Sequence, residues 1–321
     1  MADSDATQMT DASRTIASRG RPLKVGVQLP EVERVVRWPE LAAMARTAEA
    51  VGLDSAWVGD HLLYRYDDGE ARGPWEAWTT LAGLAAVTSR IELGPLVAST
   101  SFHAPAMLAK LASTVDEISG ERLILGLGAG WNETEYAAFG FPFDHRVSRF
   151  EEAFTIVRTL LRDGAIDYHG RYYEASACEL RPRSRPGGPP LLVGSMGERM
   201  LEITLPYVDA WNAWFDWFGN TPAGLRPILE RLDAACRAIG RDPATLLRTA
   251  ALMVRMPGAI GRKMTSSADE VVPIEGSADD IAGALRAFAD IGIGHVQLVL
   301  DPISRESIES LGPVLEALDR G

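Results

Sequence analysis

Short runs of apolar and β-branched residues alternate along the chain with longer segments in which apolar residues recur every three or four positions. The short runs predict strands, at residues 24–29, 55–59, 91–99, 123–127, 190–194, 210–213, 248–254 and 295–300. The periodic segments predict a helix after each strand, at residues 39–52, 74–89, 105–118, 146–163, 198–205, 222–239, 278–291 and 304–318. Helix boundaries such as Pro39 in a first turn and Gly52 after a last turn support this division.

Eight strands that are each followed by a helix predict an α/β fold, a (β/α)8 TIM barrel, because parallel strands need helical crossovers. An open doubly wound sheet is the alternative, since one sequence does not give the strand order. The spacing also predicts insertions after strands four and seven, at residues 164–190 and 256–276. The first is predicted to hold a hairpin with its turn at His169 and Gly170. Long loops in a compact domain are typically lids or binding loops.

The composition predicts one soluble domain over residues 23–321, because 46% hydrophobic residues in a chain of this length can bury a large core. Residues 1–22 are polar and lack the apolar run of a secretory signal, which predicts a disordered N-terminal tail. No window reaches the roughly 20 apolar residues that span a bilayer. We therefore expect a cytoplasmic protein with no membrane partner.

Charge and cysteine content narrow the possible partners. The net charge of −12 counts against nucleic acid, because neutralising phosphates requires clustered Lys and Arg. Cys178 and Cys236 lie far apart, and no His, Asp or Glu set has metal-ligand spacing, so no metal is expected. No lysine stands at a strand end as a Schiff-base candidate.

In a barrel the active site lies at the carboxyl ends of the strands. Asp60 and His61 follow strand two, where the histidine could move a proton or the pair could simply cap the next segment. Ser99 and Thr100 follow strand three, as hydroxyl donors to a ligand or as N-caps.

Glycine turns follow strands four and five. The turn Gly128, Ala129, Gly130 does not fit the dinucleotide pattern G-x-G-x-x-G, because Trp131 stands where the third glycine would be. It predicts close approach of a flat ligand, or else only a tight turn. The candidates beside it are Trp131, Asn132 and Tyr136. The second turn runs directly into a helix and predicts a phosphate site, formed by Gly194, Ser195, Met196 and Gly197.

Strand six ends in a segment with five aromatic residues in eight positions, from Trp211 to Phe218. Such density could line a pocket for an apolar or aromatic substrate, or it could plug the barrel end. Trp211 and Trp214 are the candidate pocket residues, together with Trp131.

Four long segments resemble the luciferase-like monooxygenase family, and in particular its F420-dependent oxidoreductases. They are EAVGLDSAWVGDH (49–61), EAWTTLAGLAAVTSRIELG (76–94), HAPAMLAK (103–110) and TVDEISGERLILGLGAGWNETEY (114–136). The family has barrels that bind FMN or the deazaflavin coenzyme F420. The resemblance implies that His61 is catalytic and lies with Asp60 near the reactive face of the flavin.

The same resemblance assigns the remaining site residues. It places a non-prolyl cis peptide and the flavin ring at Ser99–Thr100, more flavin contacts at Gly128–Gly130, Asn132 and Tyr136, and the phosphate at Gly194–Gly197. In sugar-phosphate dehydrogenases of the family a catalytic glutamate follows the glycine turn. Because Trp131 takes that position, a glucose-6-phosphate type of reaction is not expected.

The predicted function is hydride transfer between coenzyme F420 and a small organic substrate. F420 is preferred because the Ala-, Arg- and Gly-rich composition is typical of GC-rich genomes, where F420 use is common in this family. One alternative is an FMN-dependent monooxygenase supplied by a separate reductase, with the 164–190 insertion closing over the site. The other is a non-catalytic flavin-binding barrel. Members of the family are often dimers, which implies a homodimer.

Overall fold

The computed structural model describes residues 20–66, 68–261 and 271–320. Eight parallel strands form one ring, in which each strand pairs with the next along the chain and the first pairs with the eighth. Both ends of the sheet belong to the interrupted third strand, so the ring closes there. The strands are Lys24–Gln28, Ser55–Val58, Glu92–Pro95 continued by Ala98–Ser99, Leu125–Gly128, Leu191–Val193, Ala210–Ala213, Leu247–Arg255 and His295–Asp301. The predicted (β/α)8 barrel is confirmed.

The α-helices lie outside the ring, at Trp38–Val51, Ala77–Val87, Pro105–Ser119, Glu133–Phe139, Arg146–Asp163, Glu198–Thr204, Pro222–Ala238, Ala278–Ala289, Arg305–Glu309 and Gly312–Asp319. Their ends follow the local signals: Pro105 lies in the first turn of one helix, and Gly52 caps another in the left-handed conformation. The last predicted helix is divided in two, and the short helix Glu133–Phe139 was not predicted as a separate element. None of the helices described is long and apolar enough to cross a bilayer.

Polar side chains inside the ring are bonded across strands. Asn212 donates to Thr249 and Gln297, and the Oγ atom of Ser55 lies 2.7 Å from Nε2 of His295. Burial, together with the positive charge of Lys24, lowers the pKa of His295 to about 3. His295 is therefore a neutral member of the core at ordinary pH.

The third strand is interrupted by a cis peptide between Leu96 and Val97. The resemblance placed a non-prolyl cis peptide at Ser99–Thr100, so that position was wrong by three residues. Thr100 instead begins a short 3₁₀ turn, Thr100–Phe102, and its side chain is fully buried.

The insertion before strand five is an antiparallel hairpin, Ala165–His169 with Glu174–Glu179, as predicted. The turn differs from the prediction, because His169 pairs with Glu174 and the loop is residues 170–173. The loop lies on the outside of the helix Arg146–Asp163, where Glu152 accepts hydrogen bonds from the backbone amides of residues 171, 172 and 173 at 2.8–3.0 Å. A second, smaller pair, Tyr64–Arg65 with Ala71–Arg72, follows strand two and was not predicted.

Two predicted segments extend outside the described residues. Of the 1–22 tail, residues 1–19 are outside, but Arg21 is buried and pairs with Asp319 at 2.8 Å, so it belongs to the ordered domain. Of the 256–276 loop, residues 262–270 are outside. Ile274 in its second half forms a parallel bridge to Val254.

Candidate active site

A cavity of about 650 Å³ opens at the carboxyl ends of the barrel strands. Its volume lies within the range of about 300–1,000 Å³ that is common for small-molecule and cofactor sites. Twelve of the predicted site residues line it, namely Asp60, His61, Ser99, Gly128, Ala129, Gly130, Trp131, Gly194, Ser195, Met196, Gly197 and Trp214. Thr100, Asn132, Tyr136 and Trp211 do not line it, and neither does any residue of the 164–190 insertion.

His61 is held by a glutamate that the sequence did not single out. Its Nδ1 lies 2.9 Å from Oε1 of Glu135, in the short helix Glu133–Phe139. The other oxygen of Glu135 accepts hydrogen bonds from the backbone amides of Leu62 and Leu63, at 2.8 and 3.3 Å. Glu135 therefore fixes both the imidazole and the chain that follows it.

A second carboxylate approaches the other ring nitrogen. Oε1 of Glu31, which lies just after strand one, is 3.7 Å from Nε2 of His61 and accepts a hydrogen bond from Tyr64 at 3.0 Å. Burial alone would lower the pKa of His61, but the negative charges of Glu31, Glu135 and Asp60 outweigh it, and the pKa is raised above its usual 6.5. The imidazole thus tends to keep its proton near neutral pH.

Asp60 and Tyr136 organise the strand-three turn from behind. Oδ2 of Asp60 accepts a hydrogen bond from the backbone amide of Ser99 at 2.9 Å. The hydroxyl of Tyr136 lies 3.0 Å from Oγ of Ser99 and donates to the carbonyl of Ala129 at 2.7 Å. Tyr136 is fully buried, so it positions Ser99 and does not meet a ligand. Asn132 is also structural, because its amide donates to the carbonyl of Leu63.

The two glycine turns are glycine-rich for different reasons. At Gly130 φ is +73°, and an added Cβ would lie 2.0 Å from the Tyr136 hydroxyl; at Gly128 it would lie 2.7 Å from a methyl of Val97. The fold itself requires these glycines. At Gly194 and Gly197 an added Cβ would meet protein atoms only at 3.5 Å or more, although both residues line the cavity. The second turn therefore leaves space that protein atoms do not use.

The strand-six tryptophans are divided between two roles. Trp211 is buried, and its Nε1 donates to the carbonyl of Ser195 at 2.7 Å, so it supports the second glycine turn. Its prediction as a pocket residue was wrong. Trp214 lines the cavity as predicted, and Trp217 joins it. The difference arises because strand residues alternate between faces of the sheet.

The polar cavity residues that the sequence interpretation missed include Gln28, Glu31, Glu135, Arg146 and Asn212. Gln28 and Glu31 come at the end of strand one, so their position at a strand's carboxyl end was the available signal. Glu135 had no comparable signal, because Glu133 and Glu135 are equivalent until the helix direction is known. Within the described residues no group of His, Cys, Asp and Glu could hold a metal ion.

A family model described as luciferase-like monooxygenase matches residues 20–293. Among curated proteins, the chain is 32% identical over 230 residues to the pyrimidine monooxygenase RutA of Rhizobium rhizogenes. This alignment covers 67% of this chain and 62% of that protein. It is 38% identical over 172 residues to RutA of Methylorubrum extorquens, which covers 52% of this chain and 46% of that protein. The aligned stretch thus spans about half to three-fifths of the length of these relatives.

Solved structures share the architecture. An F420-dependent secondary alcohol dehydrogenase in complex with an F420–acetone adduct superposes with a TM-score of 0.77 at 19% identity, covering 92% of this chain and 99% of that one. EDTA monooxygenase (EmoA) from a Chelativorans species superposes with a TM-score of 0.72 at 16% identity, covering 94% of both chains. At these identities the likeness concerns the fold.

Proposed function

Because this chain belongs to the luciferase-like monooxygenase family, we propose that it is an FMN-dependent monooxygenase that acts on a small planar organic molecule, a pyrimidine or a related ring. The family membership makes it a flavin-dependent oxidoreductase. The proposal of a monooxygenase rests on one observation in particular. His61 lies between Glu31 and Glu135 on the wall of a cavity that is also lined by the two glycine turns.

We prefer FMN over F420 as the cofactor, which is the opposite of the preference drawn from the amino-acid composition. The relatives that are 32–38% identical are named monooxygenases, whereas the F420-dependent secondary alcohol dehydrogenase is only 19% identical. Oxygen insertion requires a cofactor that reacts with O2, which flavins do. A deazaflavin passes electrons as hydride and avoids oxygen activation. The composition argument was an association, and the relatives outweigh it.

The residues present suit a flavin mononucleotide. Gly194 and Gly197 leave room in the cavity wall that no protein atom fills, beside the start of the helix Glu198–Thr204. Free backbone amides at a helix start favour a phosphate. The flavin ring would contact the Gly128–Gly130 turn and Ser99, which line the same cavity. When bound, FMN would supply the redox and oxygen chemistry.

The protein's own contribution centres on the proton at Nε2 of His61. Nδ1 is occupied by Glu135, so the proton that can be delivered to a ligand is the one on Nε2. The raised pKa keeps that proton available near neutral pH. Donation to an oxygen atom of the substrate would stabilise negative charge that develops there.

The aromatic residues of the cavity wall support the proposal of a planar substrate. Trp131 meets the His61 ring edge-on with centroids 5.6 Å apart, and Trp214 and Trp217 line the wall further along. Aromatic walls favour flat rings and restrict water. A reductase that supplies reduced FMN is the expected protein partner.

The test is a comparison of cofactors and turnover with the full chain. Titration with FMN, reduced FMN and F420, followed by flavin absorbance and fluorescence, should give saturable binding of FMN. With a flavin reductase, NADH, FMN and uracil as the probe substrate, oxygen uptake above the uncoupled rate should appear and should be lost in His61→Ala, which still binds FMN. Saturable binding of F420 alone would overturn the proposal.

A further inference from the structure

The floor of the cavity holds two side-chain amides whose orientation is fixed by neighbouring groups. We propose that Gln28 and Asn212 form a recognition site for the N–H edge of a cyclic amide. This inference rests on the proposed function, because both a pyrimidine substrate and the pyrimidine ring of a flavin carry such an edge.

Gln28 is the last residue of strand one, lines the cavity and is 4% exposed. Its Nε2 donates to Oε2 of Glu31 at 3.0 Å. A carboxylate only accepts hydrogen bonds, so the NH2 group of Gln28 must face Glu31 and Oε1 must face away. Among the residues that the structure describes, Oε1 of Gln28 has no hydrogen-bond partner.

Asn212 lies in strand six, lines the same cavity and is 3% exposed. Its Nδ2 donates to Oγ1 of Thr249 at 2.8 Å and to Oε1 of Gln297 at 2.7 Å. Both amide hydrogens are therefore used inside the barrel. The side-chain oxygen of Asn212 is left to accept a hydrogen bond from a ligand.

The floor thus offers acceptors and no free amide donor from these two residues. A buried acceptor without a partner is unfavourable, and a ligand N–H can recover the lost hydrogen bond. A ligand that presents only acceptors, such as a carboxylate, could donate no hydrogen bond to these two amide oxygens. Its negative charge would also be repelled by the nearby Glu31 carboxylate. The chemistry favoured is a neutral ring with an N–H next to a carbonyl, whether it comes from the substrate or from the flavin.

The experiment compares each ligand with its N-methylated form. FMN and 3-methyl-FMN are titrated into the wild-type protein, Gln28→Met and Asn212→Leu, and uracil and 3-methyluracil are titrated into the same proteins saturated with FMN. Gln28→Met keeps the length of the side chain and removes both the Oε1 acceptor and the Nε2 donor to Glu31. Ser113→Ala serves as the control, since Ser113 is a buried hydroxyl outside the cavity that accepts a hydrogen bond from the amide of Ser184.

We expect one ligand pair to lose about 3- to 10-fold in affinity on methylation in the wild-type protein. Both cavity variants should lose a similar factor for the parent ligand and should no longer distinguish it from the methylated form. The pair that responds identifies the source of the N–H, flavin or substrate. Ser113→Ala should bind every ligand like the wild type.

Three results would overturn the inference. The first is that N-methylation changes the affinity of neither FMN nor uracil for the wild-type protein. Variants that bind both parent ligands within twofold of the wild type, with lowered thermal stability only, are another, because the amides would then serve packing alone. A wild-type protein that binds neither FMN nor uracil would overturn both this inference and the proposed function, whereas FMN-dependent turnover with no effect of Gln28→Met would overturn the inference alone.

Discussion

Nδ1 of His61 lies 2.9 Å from Oε1 of Glu135, although 74 positions separate the two residues in the chain. Glu135 is 1% exposed and also accepts hydrogen bonds from the backbone amides of Leu62 and Leu63. The carboxylate therefore connects the turn after strand two to the helix after strand four. Its removal should change both the charge and the position of the imidazole.

Replacement of Glu135 by Gln keeps the shape of the side chain and removes its charge. Burial would then lower the pKa of His61 with less opposition, so the imidazole should lose its proton at lower pH than in the wild type. We expect kcat/KM for uracil to fall by about 100-fold near neutral pH, and the basic limb of its pH profile to move to lower pH. NMR titration of the His61 ring measures the pKa directly.

Glu133→Gln is the matched control, because Glu133 is exposed and begins the same helix. It should leave the His61 titration and the pH profile unchanged. An unaltered His61 pKa in Glu135→Gln would contradict the role given to this carboxylate.

The two glycine turns should respond differently to alanine. Gly130→Ala is strained by a φ of +73° and by the Tyr136 hydroxyl, so it should lower the free energy of unfolding by about 1–3 kcal/mol. Gly194→Ala has room among protein atoms and should leave stability unchanged, while its methyl group weakens FMN binding by about tenfold. Urea unfolding and FMN titration of both variants separate the effects. Equal loss of stability in the two would refute the distinction.

The tryptophans should separate substrate binding from cofactor binding. Trp131 is 52% exposed and packs against His61, so Trp131→Ala should raise the KM for uracil several-fold with little change in stability or FMN affinity. Trp211→Phe removes the hydrogen bond to the Ser195 carbonyl and should weaken FMN binding by about 3- to 10-fold while the KM for uracil stays constant. If Trp211→Phe instead raised the KM for uracil and left FMN affinity unchanged, Trp211 would be a substrate-pocket residue after all.

His295 should make the fold sensitive to acid. The unfolded chain binds a proton on this residue near pH 6.5, whereas the folded chain binds it only near pH 3. The contribution of His295 to stability is complete above pH 6.5 and decreases by about 1.4 kcal/mol per pH unit as the pH falls through that window. In His295→Gln the dependence of the unfolding free energy on pH, measured in urea, should be shallower by that amount.

His169→Gln is the control for the acid experiment, because the side chain of His169 is 62% exposed on the hairpin. It should keep the wild-type pH dependence. A His295 variant with an unchanged slope would show that the buried imidazole does not titrate as described.

The sequence by itself determined the eight strands, most of the helices and the end of the barrel at which the cavity opens. These follow from periodicity and from capping residues, which act over a few positions, so local sequence is sufficient. It also placed His61, both glycine turns and Trp214 at the end of the barrel where the cavity opens, because each follows a strand.

The tertiary structure decided which side chains meet. The direction of the helix decides that Glu135, and not Glu133, contacts His61. The face of the sheet decides that Trp211 packs behind the glycine turn while Trp214 lines the cavity. The close approach of the Tyr136 hydroxyl, which explains why residue 130 is glycine, is likewise a tertiary contact. These contacts depend on the direction of a side chain relative to a distant element, and local periodicity carries no information about that direction.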